Sequence, residues 1–163
     1  MSYDIFLKIQ GIKGDSTDTV HKEWIEVTSY KHLINNPFGG AINASGDYVG
    51  AKASHHDFKI VKKLDSASPT LFQYCHLAKR IPQVQLELCR AMGDKTPFMK
   101  YTFKEAVIAS VEPEGSHDTQ DTLPIETISV RYVQISLEYT PTDPTRGGKK
   151  GATSTVNVDL RDE

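Results

Sequence analysis

Ile125-Glu126-Thr127-Ile128-Ser129-Val130-Arg131-Tyr132-Val133-Gln134-Ile135-Ser136-Leu137-Glu138-Tyr139 decides the fold. Apolar residues recur at every second position, which is the period of a strand with one face toward a core. The phase changes part-way. Ile128, Val130 and Tyr132 share one phase; Val133, Ile135, Leu137 and Tyr139 share the other. A slip of this kind inside a long strand predicts a β-bulge or a sharp bend. Such bends let a sheet curve and close on itself.

The flanking sequence repeats the pattern. Upstream, Phe98 to Val111 carries Met99, Tyr101, Phe103, then Val107, Ala109 and Val111 in one phase, with Ala106 and Ile108 on the other. The two long elements are joined by Glu112 to Thr122, a polar loop with Pro113 and Gly115. Downstream, Pro141 to Gly151 is rich in Pro, Gly and Lys and predicts a flexible linker at about 141–151. A last strand carries Val156, Val158 and Leu160. Val84, Leu86 and Leu88 alternate with Gln85, Glu87 and Cys89 in another strand. One helix is predicted, from Pro69 to about Lys79. Ser68 stands as its N-cap, Pro69 suits its first turn, and Leu71, Tyr74, Cys75 and Ala78 form one apolar stripe. Pro82 blocks continuation.

Nearer the N-terminus, Ser54 to Lys62 reads as a strand with Phe58 and Ile60 on one side. Trp24 to Leu33 reads as another, with Ile25 and Val27 on one face and Trp24, Glu26, Thr28, Tyr30 and His32 on the other. In the first strand Ile5, Leu7 and Ile9 alternate with polar residues, and Phe6 predicts that the opposite face is covered too. The sum is about seven strands and one helix. The expected fold is mainly β: a closed or nearly closed antiparallel β-barrel with one flanking α-helix, in a single domain spanning 1–163. That agrees with the roughly 100–200 residues of an ordinary domain.

The segment at about 34–52 breaks the pattern. Asn35-Asn36-Pro37-Phe38-Gly39-Gly40 and Ser45-Gly46-Asp47-Tyr48-Val49-Gly50 hold little periodicity. Loops longer than ~12–15 residues are uncommon in compact domains and usually serve a function. Phe38, Ile42, Tyr48 and Val49 are apolar points that a solvated linker does not need, so this extended loop is expected to dock on something, another subunit in particular.

Composition narrows function by exclusion. With 19 basic and 21 acidic residues the net charge is −2, which gives no electrostatic footprint for nucleic acid. No stretch approaches the ~20 apolar residues of a membrane span, so no membrane insertion is expected. Residues 1–10 lack the basic start, apolar run and cleavage site of a signal peptide, so folding in the cytoplasm is expected. Cys75 and Cys89 form no metal-ligand pattern; a disulfide between them is open on sequence alone, and two small buried thiols is the favoured reading.

The remaining motifs carry little chemistry. Lys13-Gly14-Asp15-Ser16 lacks the spacing of a phosphate loop and reads as a turn. His55 and His56 are adjacent on a strand and point to opposite faces. His21, His32, His76 and His117 show no helical pairing. Glu112, Glu114, Asp118 and Asp121 read as a solvated surface, and Asn43-Ala44-Ser45 matches a glycosylation sequon without a secretory context. No catalytic residue, cofactor-binding residue or metal ligand is assigned.

The ordered series of segments resembles the haemolysin-coregulated protein (Hcp) family. It runs from Asp4-x-Phe6-Leu7-Lys8-Ile9 through Ile12-Lys13-Gly14-Asp15-Ser16, His21 and Ile25-Glu26-Val27. It continues with Phe58 to Lys63, Asp65-x-x-Ser68-Pro69-x-Leu71, the strand after Pro82, and Val133-Gln134-Ile135. The resemblance implies a β-barrel subunit that forms six-membered rings. These stack into the inner tube of a type VI secretion apparatus, capped by a spike protein and surrounded by a contractile sheath. It also implies that the subunit is itself secreted and binds or chaperones effectors in the ring channel. Onto this chain it carries two regions: Pro37, Phe38, Gly39, Gly40, Ile42 and Tyr48 for subunit and stacking contacts, and Tyr30, Lys31 and His32 facing the channel. Lys31 stands where a small or neutral residue is frequent, so a ring would repeat one cation six times.

Two rivals remain at this point. A monomeric small-molecule-binding barrel needs an open interior, which Ile25, Val27, Leu86 and Leu88 argue against. A hydrolase would need a site in the Glu112–Thr122 loop.

Overall fold

The computed structural model describes residues 2–37, 42–48, 50, 52–91, 95–118, 120, 123–143 and 149–162. The first strand, β1 (Tyr3–Ile9), buries Ile5, Leu7 and Ile9 on one face and Phe6 on the other, as its sequence predicts. The single strand expected over Trp24 to Leu33 is two pieces, β2 (Ile25–Val27) and β3 (Ser29–Lys31), broken at Thr28. β2 pairs with β1, whereas β3 pairs with β6 (Phe58–Lys63). The Thr28 amide already donates to Val61. The break is therefore where the segment leaves one edge of the sheet for the other.

The strand expected from Ser54 to Lys62 is likewise divided. β5 (Ser54–His55) pairs with β4 (Ile34–Asn35), a two-rung ladder outside the main sheet, and β6 follows. After the helix come β7 (Ile81–Arg90), β8 (Pro97–Glu114), β9 (Ile125–Arg131) and β10 (Gln134–Tyr139). β11 (Thr142–Asp143) and β12 (Lys149–Lys150) pair with each other, so the stretch read as a linker is bounded by a ladder. β13 (Ser154–Asp159) pairs with β10.

All pairings are antiparallel, and the main path runs β2-β1-β7-β8-β9-β6-β3. Its two ends are consecutive pieces of one chain segment. The sheet therefore curls round until its ends nearly meet. The predicted corner lies where the phase slips: β9 stops at Arg131, β10 starts at Gln134, and Tyr132 is buried between them. β8 turns with it. Its first part pairs with β10 and its second with β9, and Glu105 between them adopts φ 53°. Beyond Glu105 the buried residues are Ala106 and Ile108, not the Val107 and Ala109 that the sequence phase favoured, because the bend shifts the register. A second irregularity at Ile108/Ser110 shifts it again.

The interior is filled. Phe58 and Phe103 lie 4.8 Å apart, surrounded by Leu7, Ile60, Leu86, Ile128 and Val130, all buried. Packing of this kind leaves the barrel a core rather than a binding cavity.

The helix α1 (Ser68–Leu77) packs against β8. Leu71 is buried and Tyr74 and Cys75 are half-buried on the core side. Ser68 is not the N-cap: Ala67 holds that position, and Ser68 is the first helical residue. The Ser68 hydroxyl has other partners. It donates to Glu126 at 2.7 Å and accepts from the Lys62 ammonium at 3.1 Å. Lys62 is fully buried and also contacts Glu126 at 2.7 Å and Asp65 at 2.8 Å. Asp65 takes the turn-initiating part by accepting from the Ala67 amide. The helix ends before Pro82 acts, because Ala78 turns left-handed and its amide bonds back to Cys75 and Tyr74.

Candidate functional site

The segment between β4 and β5 is organised at its tip as well as its base. Ile42 and Tyr48 bridge across a turn. Inside it the Asn43 amide donates to Asp47, and the Asn43 side-chain oxygen accepts from the Ser45 and Asp47 amides. Asn43 serves the turn, and Gly46 supplies the positive φ of 87° that the turn requires. The result presents Ile42 at 59% exposure and Tyr48 at 69%. Leu33 and Ile34, at the base, are also about half exposed. Four large apolar side chains in one excursion of the chain form a surface that a partner would cover. Pro37 is exposed beside it. Phe38, Gly39 and Gly40 lie outside the described residues.

The three residues assigned to the channel behave differently from one another. Lys31 is exposed. Tyr30 turns inward and stacks on Phe58 at 5.6 Å; burial, with Tyr101 beside it, pushes its phenol up to about 12. His32 is half-buried and its Nε2 lies 2.8 Å from the Tyr132 hydroxyl. His55 Nδ1 lies 3.0 Å from the same oxygen. Sequence reasoning saw only that His55 and His56 diverge; it did not see that His32 and His55 converge on Tyr132.

A second histidine cluster was also missed. His21 is fully buried, with Phe6 stacked on its ring at 4.3 Å and Trp24 edge-on at 4.7 Å. Its Nδ1 lies 2.9 Å from Asp18 and its Nε2 2.7 Å from Glu87, and both nitrogens can donate at once only in the imidazolium form. Cys89 Sγ is 3.6 Å from Nε2. His21, Glu87 and Cys89 therefore converge as metal ligands might. However, bonds of about 2.0–2.1 Å at tetrahedral angles hold N and O ligands ~3.3 Å apart. The observed 2.7 Å is the spacing of a shared proton. Lys100 and Lys95 flank the two carboxylates at 3.5 and 3.1 Å, and Asp4 lies 3.5 Å from Lys95. The cluster ties the loop before β2 to β7.

No nucleophile emerges among the described residues. Burial and the nearby Glu87 carboxylate push the Cys89 thiol up to about 12, which keeps it protonated and inert. Cys75 is half-buried rather than buried, and both thiols are free. The Lys13–Ser16 turn is no phosphate cradle. The amides of Gly14 and Ser16 are spent on Glu23 and Trp24, and a Cβ at Gly14 would lie 2.4 Å from the Trp24 carbonyl oxygen. No helix among the described residues is long and apolar enough to cross a membrane.

The outer face of β7, β8, β10 and β13 carries polar rows in register, Gln83-Lys104-Gln134-Asp159 and Gln85-Thr102-Ser136-Asn157. They line an open groove of about 570 Å³.

The profile of the family described as "Type VI secretion system effector, Hcp" matches residues 6–139. The chain belongs to the Hcp family. It is 29% identical over 142 residues to Protein hcp1 of Pseudomonas aeruginosa, covering 86% of this chain and 85% of that one. Among solved structures it is similar to Hcp1 from Salmonella typhimurium, at 35% identity and TM-score 0.79 over 99% of this chain and 97% of the other. A type VI secretion system effector from Yersinia pestis matches at 28% identity and TM-score 0.74, covering 96% and 99%. The chain is thus a type VI secretion tube protein of the Hcp type, with the β-rich fold of that family.

Proposed function

We propose that copies of this chain close into six-membered rings that stack into the inner tube of a type VI secretion apparatus. The tube meets a spike protein at its tip and a contractile sheath around it. The protein is made in the cytoplasm, leaves with the tube, and acts without catalysis. The observation that carries this reading is the exposed apolar set on the 34–52 excursion, in a chain whose family membership spans most of its length. Pro37, Phe38, Gly39, Gly40, Ile42 and Tyr48 make the contact between rings. Lys31 faces the channel and selects acidic or polar effectors, while Tyr30 and His32 anchor its strand from the barrel side.

Native mass by size-exclusion chromatography with light scattering tests the ring. Six chains of 18.2 kDa give about 109 kDa, and rotational closure is the ordinary outcome for a head-to-tail interface. A mass that stays monomeric on concentration refutes it. Deleting residues 37–46 leaves a folded barrel and shortens tubes; unchanged tube length removes the loop from stacking. Lys31→Glu changes which effectors co-purify, and an unaltered set removes Lys31 from selection.

A further inference from the structure

We infer that His32, Tyr132 and His55 form an acid-opened latch on the base of the 34–52 excursion. Tyr132 is the pivot. It is 5% exposed, sits at the corner between β9 and β10, and packs against Phe103 at 5.2 Å. Its one hydroxyl lies between His32 of the β3–β4 connection and His55 of β5. His55 pairs with Ile34 in the β4–β5 ladder, and the His56 amide donates to Leu33. The latch thus joins both sides of that ladder to the barrel wall.

A phenol has one proton. With both imidazoles neutral, the hydroxyl donates to one ring nitrogen and accepts from the other, and every group is satisfied. With both rings protonated, each can only donate toward the same oxygen. The phenol proton then has no acceptor in the trio, and two cations face each other across one atom. The surroundings offer little relief. Burial, followed by His55 and His56, holds His32 below the ordinary imidazole value of 6.5, and burial holds His55 below it. Burial and Asp57 push the Tyr132 phenol up to about 12, so it does not ionise in compensation. Asp57 is the anion that acts on Tyr132, but Arg131 clamps it at 3.0 and 3.2 Å. His56 engages Asn35 at 3.1 Å, and Lys31 and Lys59, opposite each other on β3 and β6, add only positive charge nearby. A histidine held below its unfolded value stabilises the closed form fully above about pH 6.5, and that contribution is lost as pH falls through the folded value. Acid therefore opens the β4–β5 base while the barrel stays folded. The consequence for tubes rests on the stacking role proposed above; the latch itself does not.

Hydrogen exchange on the full-length protein, at about pH 7.5 and about pH 5.5, brackets the ordinary imidazole value. After correction for intrinsic rates, amides of Asn35, Ser54 and His56, which carry the ladder's hydrogen bonds, are expected to lose protection several-fold at the lower pH, with β7 and β8 unchanged. In His32→Gln/His55→Gln that loss disappears. Flat protection in the unmodified protein overturns the latch, as does an identical loss in the double variant. Should the variant fold poorly, ring-proton NMR of the unmodified protein decides. Titration of His32 and His55 below about 6.5, together with the Asn35 amide, supports the latch; titration above that value overturns it. Tube length at the two pH values is read separately. Opening without shortening refutes the stacking role and leaves the latch standing.

Discussion

His21, fully buried, and the half-buried His32–His55 pair differ in what faces their nitrogens. His21 has a carboxylate at each one, Asp18 and Glu87. His32 and His55 share a single neutral hydroxyl. Two anions make a home for a charged ring, and a phenol between two rings makes one for neutral rings. One cluster ties the loop before β2 to β7 until acid strong enough to protonate Asp18, and the other is a tie that milder acid undoes. The partners, not the residue type, set the role.

The sharpest way to break that contrast is Glu87→Leu. It leaves Nε2 of His21 without its anion, and removing one partner of a buried ion pair costs about 3–5 kcal/mol. Urea unfolding measures it; a loss under about 1 kcal/mol would make the His21 tie no stronger than the latch. Acid titration separates the two clusters next. The His21 hydrogen bond holds the Asp18 carboxyl down at about 2 against 3.8, opposed by its own burial and assisted by Lys95. Its folded value is depressed, so its contribution is complete above about pH 3.8 and is lost as pH falls toward about 2, roughly 2 kcal/mol in all. Trp24, the one tryptophan, lies against His21 and reports this step by fluorescence. The latch is expected to open in a separate step at higher pH; a single merged transition would erase the distinction. A smaller effect is expected from Tyr132→Phe, which orphans two half-buried ring nitrogens for about 1–2 kcal/mol and leaves the β4–β5 base less protected at neutral pH. Smallest of all is Arg131→Gln. Its pair with Asp57 is largely exposed on the arginine side, so global stability should move by less than about 1 kcal/mol.

Most of the barrel could be read from period-two alternation, because the core strands commit one face largely to apolar packing. The corner could be read too, since a bend between β9 and β10 must exchange inward and outward positions, and Tyr132-Val133 records that exchange. The matching bend in β8 could not: Glu105 takes a positive φ without the glycine that would announce it. The break at Thr28 was hidden because β2 and β3 keep strand geometry while changing partners. Polar burial was hidden for another reason. Glu87 and His21 occupy positions that look like solvent faces in a linear pattern, and Lys62 is a charge that continues the core phase of Phe58 and Ile60. Remote segments bury them: the loop before β2 covers β7 at Glu87, and Ser68 at the start of α1 closes over Lys62. The apolar points of the 34–52 excursion stood out because nothing local accounted for them.

The pairing of β1 with β7 has a consequence for how the chain is made. Tyr3 to Ile9 has β2 on one edge, but its other edge is filled only by Val84 to Arg90, and the closing piece Ser29–Lys31 needs β6 and, through it, β9. On the ribosome that second edge of the first strand stays open until half the polypeptide has been synthesised. Sheets built from such distant partners fold slowly and expose sticky intermediates. A cell that makes this subunit in quantity must shield nascent chains from one another before any barrel exists.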